Sequence, residues 1–386
     1  MTSSPQATPD LTWPPEPQRW PPVFPPVCAS AWGDDRFGLW MEVLLEGKPN
    51  RFRWIEPGEF WMGSPEGEAG RNANEGPRHV VRLTEGFWLA ETACSQSVWE
   101  SVMGRNPSEF TDDPQNPVEQ VSWDDVQGFL REVERRLPGV KADLPTEAEW
   151  EYACRAGCKT AFSWGDGITP SQANYNVTES YANGPTGEYL KKTVPVKSYA
   201  PNAWGLYQMH GNVWEWCADG QRKYDGAPQV DPHGPEGDAA EDPRAVRGGS
   251  WGDPPRWLRA AFRSDCPRAG RNVSLGFRFS LRSTSQQRGA ERPPEASVAP
   301  EDLLALLDAD ELSGFFDGKQ RAGDGSGGIQ SAESSGASNA NRYRFLEHML
   351  KMLKKPETGS GSVPWSALRE TIPVVKKPKP KRGGKK

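Results

Sequence analysis

Sulfur and imidazole are scarce in this chain and badly spaced for metal chemistry. Its 386 residues hold four histidines and six cysteines, and no two cysteines stand as CxxC. His79, His210, His233 and His348 are scattered, so no zinc or iron ligand set can be read from them. Cys154 and Cys158 are four apart, a spacing that would put both thiols on one helix face. The expected state of the six is reduced, with several buried as small apolar groups. Long apolar runs are also missing. Nothing approaches a membrane span, and no basic patch followed by an apolar run marks a leader, so the expected location is cytoplasmic with no membrane partner. Tryptophan is almost absent from the last third: 16 of the 17 precede residue 258 and only Trp365 lies beyond. The core is therefore expected in about the first 280 residues, since bulky apolar side chains mark where burial occurs. Acidic residues are missing from 376–386, which carries seven Lys and Arg. The net charge of −6 thus hides a body of −13 that should repel nucleic acid and a tail that would attract a nucleic acid or an acidic partner protein.

What is present divides the chain into four parts. Residues 1–31 form an arm with nine prolines among the first 27, extended because proline fixes φ and removes a donor. This arm either wraps the domain through Trp13, Trp20 and Phe24 or is a disordered leader. Residues 32–282 read as the folded domain. Strand patterns run through 32–64, with Arg51 to Ile55 and Glu59 to Gly63 alternating like a pair around Pro57-Gly58, and another strand at Gly86 to Ala90. Ser95 to Met103 reads as a helix capped by Ser95 and stopped by Gly104. A second helix runs from Ser122 to about Leu137, and a third starts at Thr146, where Thr146 and Glu149 form a capping box. Residues 159–205 are loop-rich with a strand at Val194 to Val196. Residues 283–341 are a flexible linker with a short helix candidate at 300–316, and 342–386 are a basic helical segment with a Lys-rich tail.

The most informative stretch is Arg247 to Arg278. Gly248-Gly249 suits a tight turn, and Leu275, Phe277 and Phe279 alternate as in a strand. About twenty residues of loop composition lie between, and Trp251, Trp257 and Phe262 in that loop need something to pack on.

With GNVWEW at 211–216 and LPTEAEWEYACRAG at 144–157, this stretch resembles the formylglycine-generating enzyme (sulfatase-modifying factor) family, over roughly residues 50–282. The resemblance implies an α+β fold, an irregular, strand-poor variant of the C-type lectin fold. It also implies an enzyme that holds copper with two cysteines and oxidises a substrate cysteine with O2. In this sequence the two cysteine positions are Asp253 and Leu258, so no copper is expected. The resemblance further implies structural calcium at two sets of oxygens: Asn174, Tyr175, Glu188 and Leu190, and Gln208, Gly211, Val213 and Glu215. Calcium takes many backbone carbonyls, so apolar residues can serve.

Three readings of the loop follow. Copper oxidase chemistry lacks its two thiolates, and Cys266 stands at the wrong spacing. Another catalytic site would have to use Asp253, Arg259, Arg263 and Asp265, with no histidine near them in sequence. A binding surface would use Trp251, Gly252, Asp253, Pro254, Arg256, Trp257, Phe262, Arg263, Ser264, Asp265, Cys266, Arg268, Asn272 and Ser274, since aromatics and Arg are common interface anchors. Variable proteins of diversity-generating retroelements resemble this RGGSW to GFR frame, and their variable codons descend from AAC. Thirteen loop positions, Gly252, Asp253, Pro254, Arg256, Ser264, Asp265, Cys266, Arg268, Ala269, Gly270, Asn272, Val273 and Ser274, hold residues reachable from AAC, whereas Trp257 is not. The expectation is a non-catalytic module that recognises a protein or peptide, in its sharper form a diversified variable protein. The competing class is an oxidoreductase of the same family with an atypical site.

Overall fold

A computed structural model describes residues 19–235, 237, 239 and 241–284. The linker with its helix candidate at 300–316, and the basic helical segment and tail at 342–386, lie outside these residues. The elements in chain order are β1 (Ala31–Asp35), β2 (Gly38–Leu45), β3 (Lys48–Ile55), β4 (Gly58–Met62), β5 (His79–Leu83), β6 (Phe87–Ala90), α1 (Gln96–Met103), α2 (Trp123–Arg136), β7 (Val140–Asp143), α3 (Glu147–Arg155), β8 (Trp214–Trp216), β9 (Gln229–Val230), β10 (Pro243–Arg247), β11 (Ser264–Pro267), β12 (Leu275–Gly276) and β13 (Ser280–Ser283). The fold is α+β with long irregular segments. Among the described residues no helix is long and apolar enough to cross a membrane.

One sheet runs β1-β2-β3-β6-β13-β7, so the last strand of the domain lies between β6 and β7 and joins its beginning to its middle. Period-two patterning sets the faces: Leu39, Met41, Val43 and Leu45 of β2 are buried while their neighbours are not. A second sheet runs β11-β10-β8-β12 and a third β4-β5-β9. The three helices start as the caps dictate. Ser95, Ser122 and Thr146 each accept a backbone N–H of the first turn, and Gly104 ends α1 in the left-handed region at φ 74°. Trp99 stacks on Phe129 at 5.3 Å, so α1 and α2 close over Phe277 and Phe279 from one side. Trp150 and Cys154 of α3 enter a core cluster with Met62, Val81, Leu83, Phe87 and Ala245.

Several expectations change. Arg51 to Ile55 and Glu59 to Gly63 are both extended but do not pair with each other: β3 pairs with β2 and β6, and β4 pairs with β5. Alternation identifies a strand but carries no information about its partner. Val194 to Val196 is not a strand; Val196 N–H binds the Gln115 carbonyl on its own. The run from Leu275 to Phe279 is not one strand, since β12 and β13 belong to different sheets with a break between them. Cys154 is buried on α3, whereas Cys158 lies past the helix end and is half-buried, so they do not share a helix face. All six cysteines are free thiols.

The proline-rich arm wraps the domain over its described part. Phe24 stacks on Trp88 at 5.9 Å and meets Trp32 edge-on at 5.2 Å, while the Trp54 indole N–H donates to the Arg19 carbonyl at 2.6 Å.

Candidate functional site

The loop between Arg247 and Arg278 is held by four arginines that point inward. Arg247 is fully buried, donates to the Phe262 carbonyl and pairs with Glu151 of α3, which also pairs with Arg155 and accepts from Gly63 N–H at 2.9 Å. Arg259 donates to Glu75 at 2.6 and 2.7 Å, to Glu68 at 2.7 Å and to the Gly70 carbonyl at 2.7 Å. Arg263 grips both oxygens of Glu147 at 2.7 and 2.5 Å and donates to the Asn74 carbonyl. Arg278 grips both oxygens of Glu215. Such bidentate pairs are what planar guanidinium groups do when buried. Arg263 is therefore corrected from a ligand contact to a structural ion pair, and Arg259 and Arg263 have no free face for acid–base work.

The surface this frame supports centres on Asp253. Ser250 N–H and Oγ donate to its carboxylate at 2.8 and 2.5 Å. Burial pushes the carboxyl above its usual range, opposed by hydrogen bonds from Ser250 and Trp214. Its partners are thus neutral donors. The Asp253 carbonyl accepts from Asn176 N–H at 2.9 Å, which joins the loop to the 174–176 segment. Trp251 meets Phe110 edge-on at 5.4 Å and Tyr189 at 6.3 Å, and donates to the Val273 carbonyl at 3.2 Å. Trp257 stacks on Phe262 at 5.6 Å, and both lie against Trp214 at 6.5 and 5.9 Å. Phe110, Tyr189 and Trp214 were not legible as parts of this surface, because they come from three other segments. The one sequence signal is that each is an aromatic in or beside a long polar loop.

The remaining loop residues divide. Arg256 is exposed and paired with Glu179 at 2.8 Å, Gly252 is half-exposed, and Pro254 is buried. Ser264, Asp265 and Cys266 are not loop but strand: β11 pairs antiparallel with β10 at the sheet edge, Cys266 opposite Arg244. Arg268 pairs with Asp124 at 2.5 Å, and the Asn272 carbonyl accepts from Gln120 N–H while its side chain accepts from Ser274 N–H and Oγ. This half of the loop lies against the start of α2, whereas Asp253, Trp257 and Phe262 gather at Trp214 and Trp251 packs beside Phe110 and Tyr189. The list read from sequence thus forms two patches.

Leu258 is 0% exposed and packs with Ala161, Phe162, Ile168, Tyr175 and Tyr181. Beside it His210 is fully buried, its Nδ1 at 2.7 Å from the Leu258 carbonyl and its Nε2 accepting from Ser163 N–H at 3.1 Å. Burial lowers its pKa to about 4, so the imidazole is neutral.

A model of the sulfatase-modifying factor enzyme 1-like domain matches residues 45–282. The chain belongs to that family. It is similar to the formylglycine-generating enzyme of Streptomyces coelicolor, 37% identical over 217 residues that make up 52% of this chain and 66% of that protein's own length. Among solved structures, Treponema denticola variable protein 1 aligns with a TM-score of 0.52 at 24% identity, covering 63% of this chain and 99% of its own, a likeness of fold. PvdO from Pseudomonas aeruginosa aligns with a TM-score of 0.51 at 26% identity, covering 66% of this chain and 99% of its own.

The two oxygen sets that the family implies for calcium fare differently. Glu215 accepts from Arg278 at 2.7 Å on both oxygens and from the Trp150 indole at 2.6 Å, so three donors already engage its carboxylate. Val213 is buried, Gly211 takes φ 87°, and Gln208 at φ 51° keeps both amide atoms buried without a hydrogen-bond partner. The carboxylate of this set is thus shared with the arginine frame, and its other oxygens are backbone carbonyls and the Gln208 amide. In the other set, Tyr175 is buried and Leu190 exposed, and the Asn174 amide donates to the Lys192 carbonyl and Asn212 Oδ1. Its Glu188 carboxylate is exposed to solvent, so this set keeps an oxygen donor that calcium can use. Among the described residues no group of three or more His, Cys, Asp or Glu is clustered to hold a metal.

Proposed function

We propose that this chain is a non-catalytic recognition module on the formylglycine-generating-enzyme-like scaffold. The observation that carries the reading is the pair at the family's two cysteine positions. One is Asp253, hydrogen-bonded to Ser250, and the other is Leu258, wholly buried in an apolar cluster. A leucine side chain has no lone pair for copper and no thiol to exchange. Packing occupies the place where the relatives' reaction would need sulfur.

The surface left around Asp253 favours a protein or peptide that presents a cation. A half-buried carboxylate satisfied only by neutral donors has no counter-charge among them, and Trp251 and Tyr189 set aromatic rings beside it. Aromatic faces and a carboxylate together attract a lysine or arginine head. The diversified-protein form of the reading has support in exposure. Of the thirteen AAC-reachable positions only Pro254 is buried, while the intervening Leu258 to Arg263 are all buried.

Two experiments test this. Copper(I) titration of the full chain with an oxygen-consumption assay on a cysteine peptide should give neither stoichiometric copper nor turnover; both together would establish the oxidoreductase. Peptide display on the immobilised chain should enrich Lys- and Arg-containing sequences that Asp253→Asn no longer retains. Neutral peptides, or binding unaffected by that change, would refute the cation. For the diversified form, sequencing the neighbouring DNA should reveal a reverse transcriptase and a near-repeat of codons 247 to 278.

A further inference from the structure

Away from this loop, a groove of about 300 Å³ opens between β4, β5 and the turn after α3. Phe60, Trp61, Val80, Tyr152, Cys158 and Lys159 line it. Phe60 and Tyr152 stand 5.2 Å apart, and Trp61 beside them is 43% exposed. Arg78 lies over the Trp61 ring at 5.4 Å, with its Nε and one terminal nitrogen buried and without a hydrogen-bond partner. Lys159 thus lines the groove and Arg78 stands behind Trp61, against Glu59, which is paired with Arg82.

The described chain begins beside this groove. Arg19 is fixed through its carbonyl to Trp54, and two residues on, the Glu56 carbonyl accepts from the Tyr152 hydroxyl at 3.2 Å. Two extended residues cover about 7 Å. The segment leading into Arg19 contains Pro5, Pro9, Trp13, Pro14, Pro15 and Pro17, with Asp10 and Glu16 and no Lys or Arg. Proline-rich strands lose little entropy on docking and are taken by aromatic-lined grooves. From Arg19 back to Trp13 is six residues, a reach of about 19 Å at the rise of a polyproline helix. A tether this short holds its segment at a millimolar-scale local concentration.

We propose that residues 8–18 of this chain, anchored by Trp13-Pro14-Pro15, dock in that groove. Trp13 meets Phe60, Trp61 and Tyr152, and Asp10 and Glu16 complement Arg78 and Lys159. The inference is independent of what the Asp253 surface binds.

Cys158 is the reporter, because it lines the groove and is half-buried. Site-resolved alkylation of the full chain should label Cys158 slowly in the wild type and roughly tenfold faster in Trp13→Ala, as loss of a tethered contact predicts. Cys266, on β11, should label at one rate in both. A synthetic peptide of residues 8–18 should restore protection to the variant, and Trp61→Ala should deprotect Cys158 without it. Equal Cys158 rates in wild type and Trp13→Ala would overturn the proposal. So would protection that depends on protein concentration, which places the segment in a second copy. Protection lost in Pro378→Ala/Pro380→Ala but kept in Trp13→Ala would assign the groove to the basic tail instead.

Discussion

Arg278 closes on Glu215 with two parallel hydrogen bonds of 2.7 Å, and neither side chain reaches solvent. Glu215 sits on β8 and Arg278 follows β12, so this pair fixes the end of the loop to the strand that also carries Trp214. A buried pair of this kind adds little net stability over an apolar substitute, yet losing one partner strands a charge.

Arg278→Ala is expected to cost about 3–5 kcal/mol of unfolding free energy, because Glu215 keeps its burial and loses its counter-charge. Equilibrium urea unfolding measures this. A loss below about 1 kcal/mol would mean that Glu215 finds another partner.

Within the loop, frame and surface should respond oppositely. Arg259→Ala and Arg263→Ala each abandon buried carboxylates and should cost about 3–5 kcal/mol. Asp265→Ala and Ala269→Ser, at exposed positions, should stay within about 0.5 kcal/mol. Thermal denaturation of the four variants reads the contrast directly.

Glu119 gives a pH signature. It is fully buried, accepts from the Glu109 and Phe110 N–H groups at 2.7 and 2.9 Å, and leaves its other oxygen without a partner. Burial raises its pKa to about 7 from an ordinary 4.5. The folded pKa lies above the unfolded one, so its contribution is full below about 4.5 and is lost as pH rises through 7. Glu119→Gln keeps an acceptor for both N–H groups without the charge. It should be more stable than wild type by about 3 kcal/mol at pH 8, where a unit of pKa shift is worth about 1.36 kcal/mol, and equal to it near pH 4. Urea midpoints of the two proteins across that range check the sign.

Structural calcium, which the family resemblance implies, is proposed at the set that keeps a solvent-facing carboxylate: Asn174, Tyr175, Glu188 and Leu190. Calcium at a hundredfold excess over its Kd should then stabilise the wild type by about 2.7 kcal/mol. That increment should vanish in Glu188→Gln and survive in Gln208→Ala. Denaturation with calcium or EDTA distinguishes the two sets.

Much of the architecture was legible because it rests on local rules. Ser95, Ser122 and Thr146 cap the helices where hydroxyls precede apolar periodicity, and β2 alternates as its residues do. Pairing was not legible. Glu59 to Gly63 looked like the partner of Arg51 to Ile55 and went to β5, since partner choice depends on which apolar faces meet. The loop chemistry was half legible. The absence of sulfur at 253 and 258 is a fact of sequence, but a loop arginine reads alike whether it faces solvent or Glu147.

The sequence by itself determined the family, the caps, the strand faces and the loss of both thiols, because each depends on residue identity at a known spacing. Only the tertiary structure decided that Arg247, Arg259, Arg263 and Arg278 are internal. It alone brought Phe110, Tyr189 and Trp214 to Trp251 and Asp253, and gave the Glu215 carboxylate to Arg278. Those outcomes turn on burial and on partners dozens of residues away, where desolvation makes a charge seek its counter-charge and no local pattern records which one it finds.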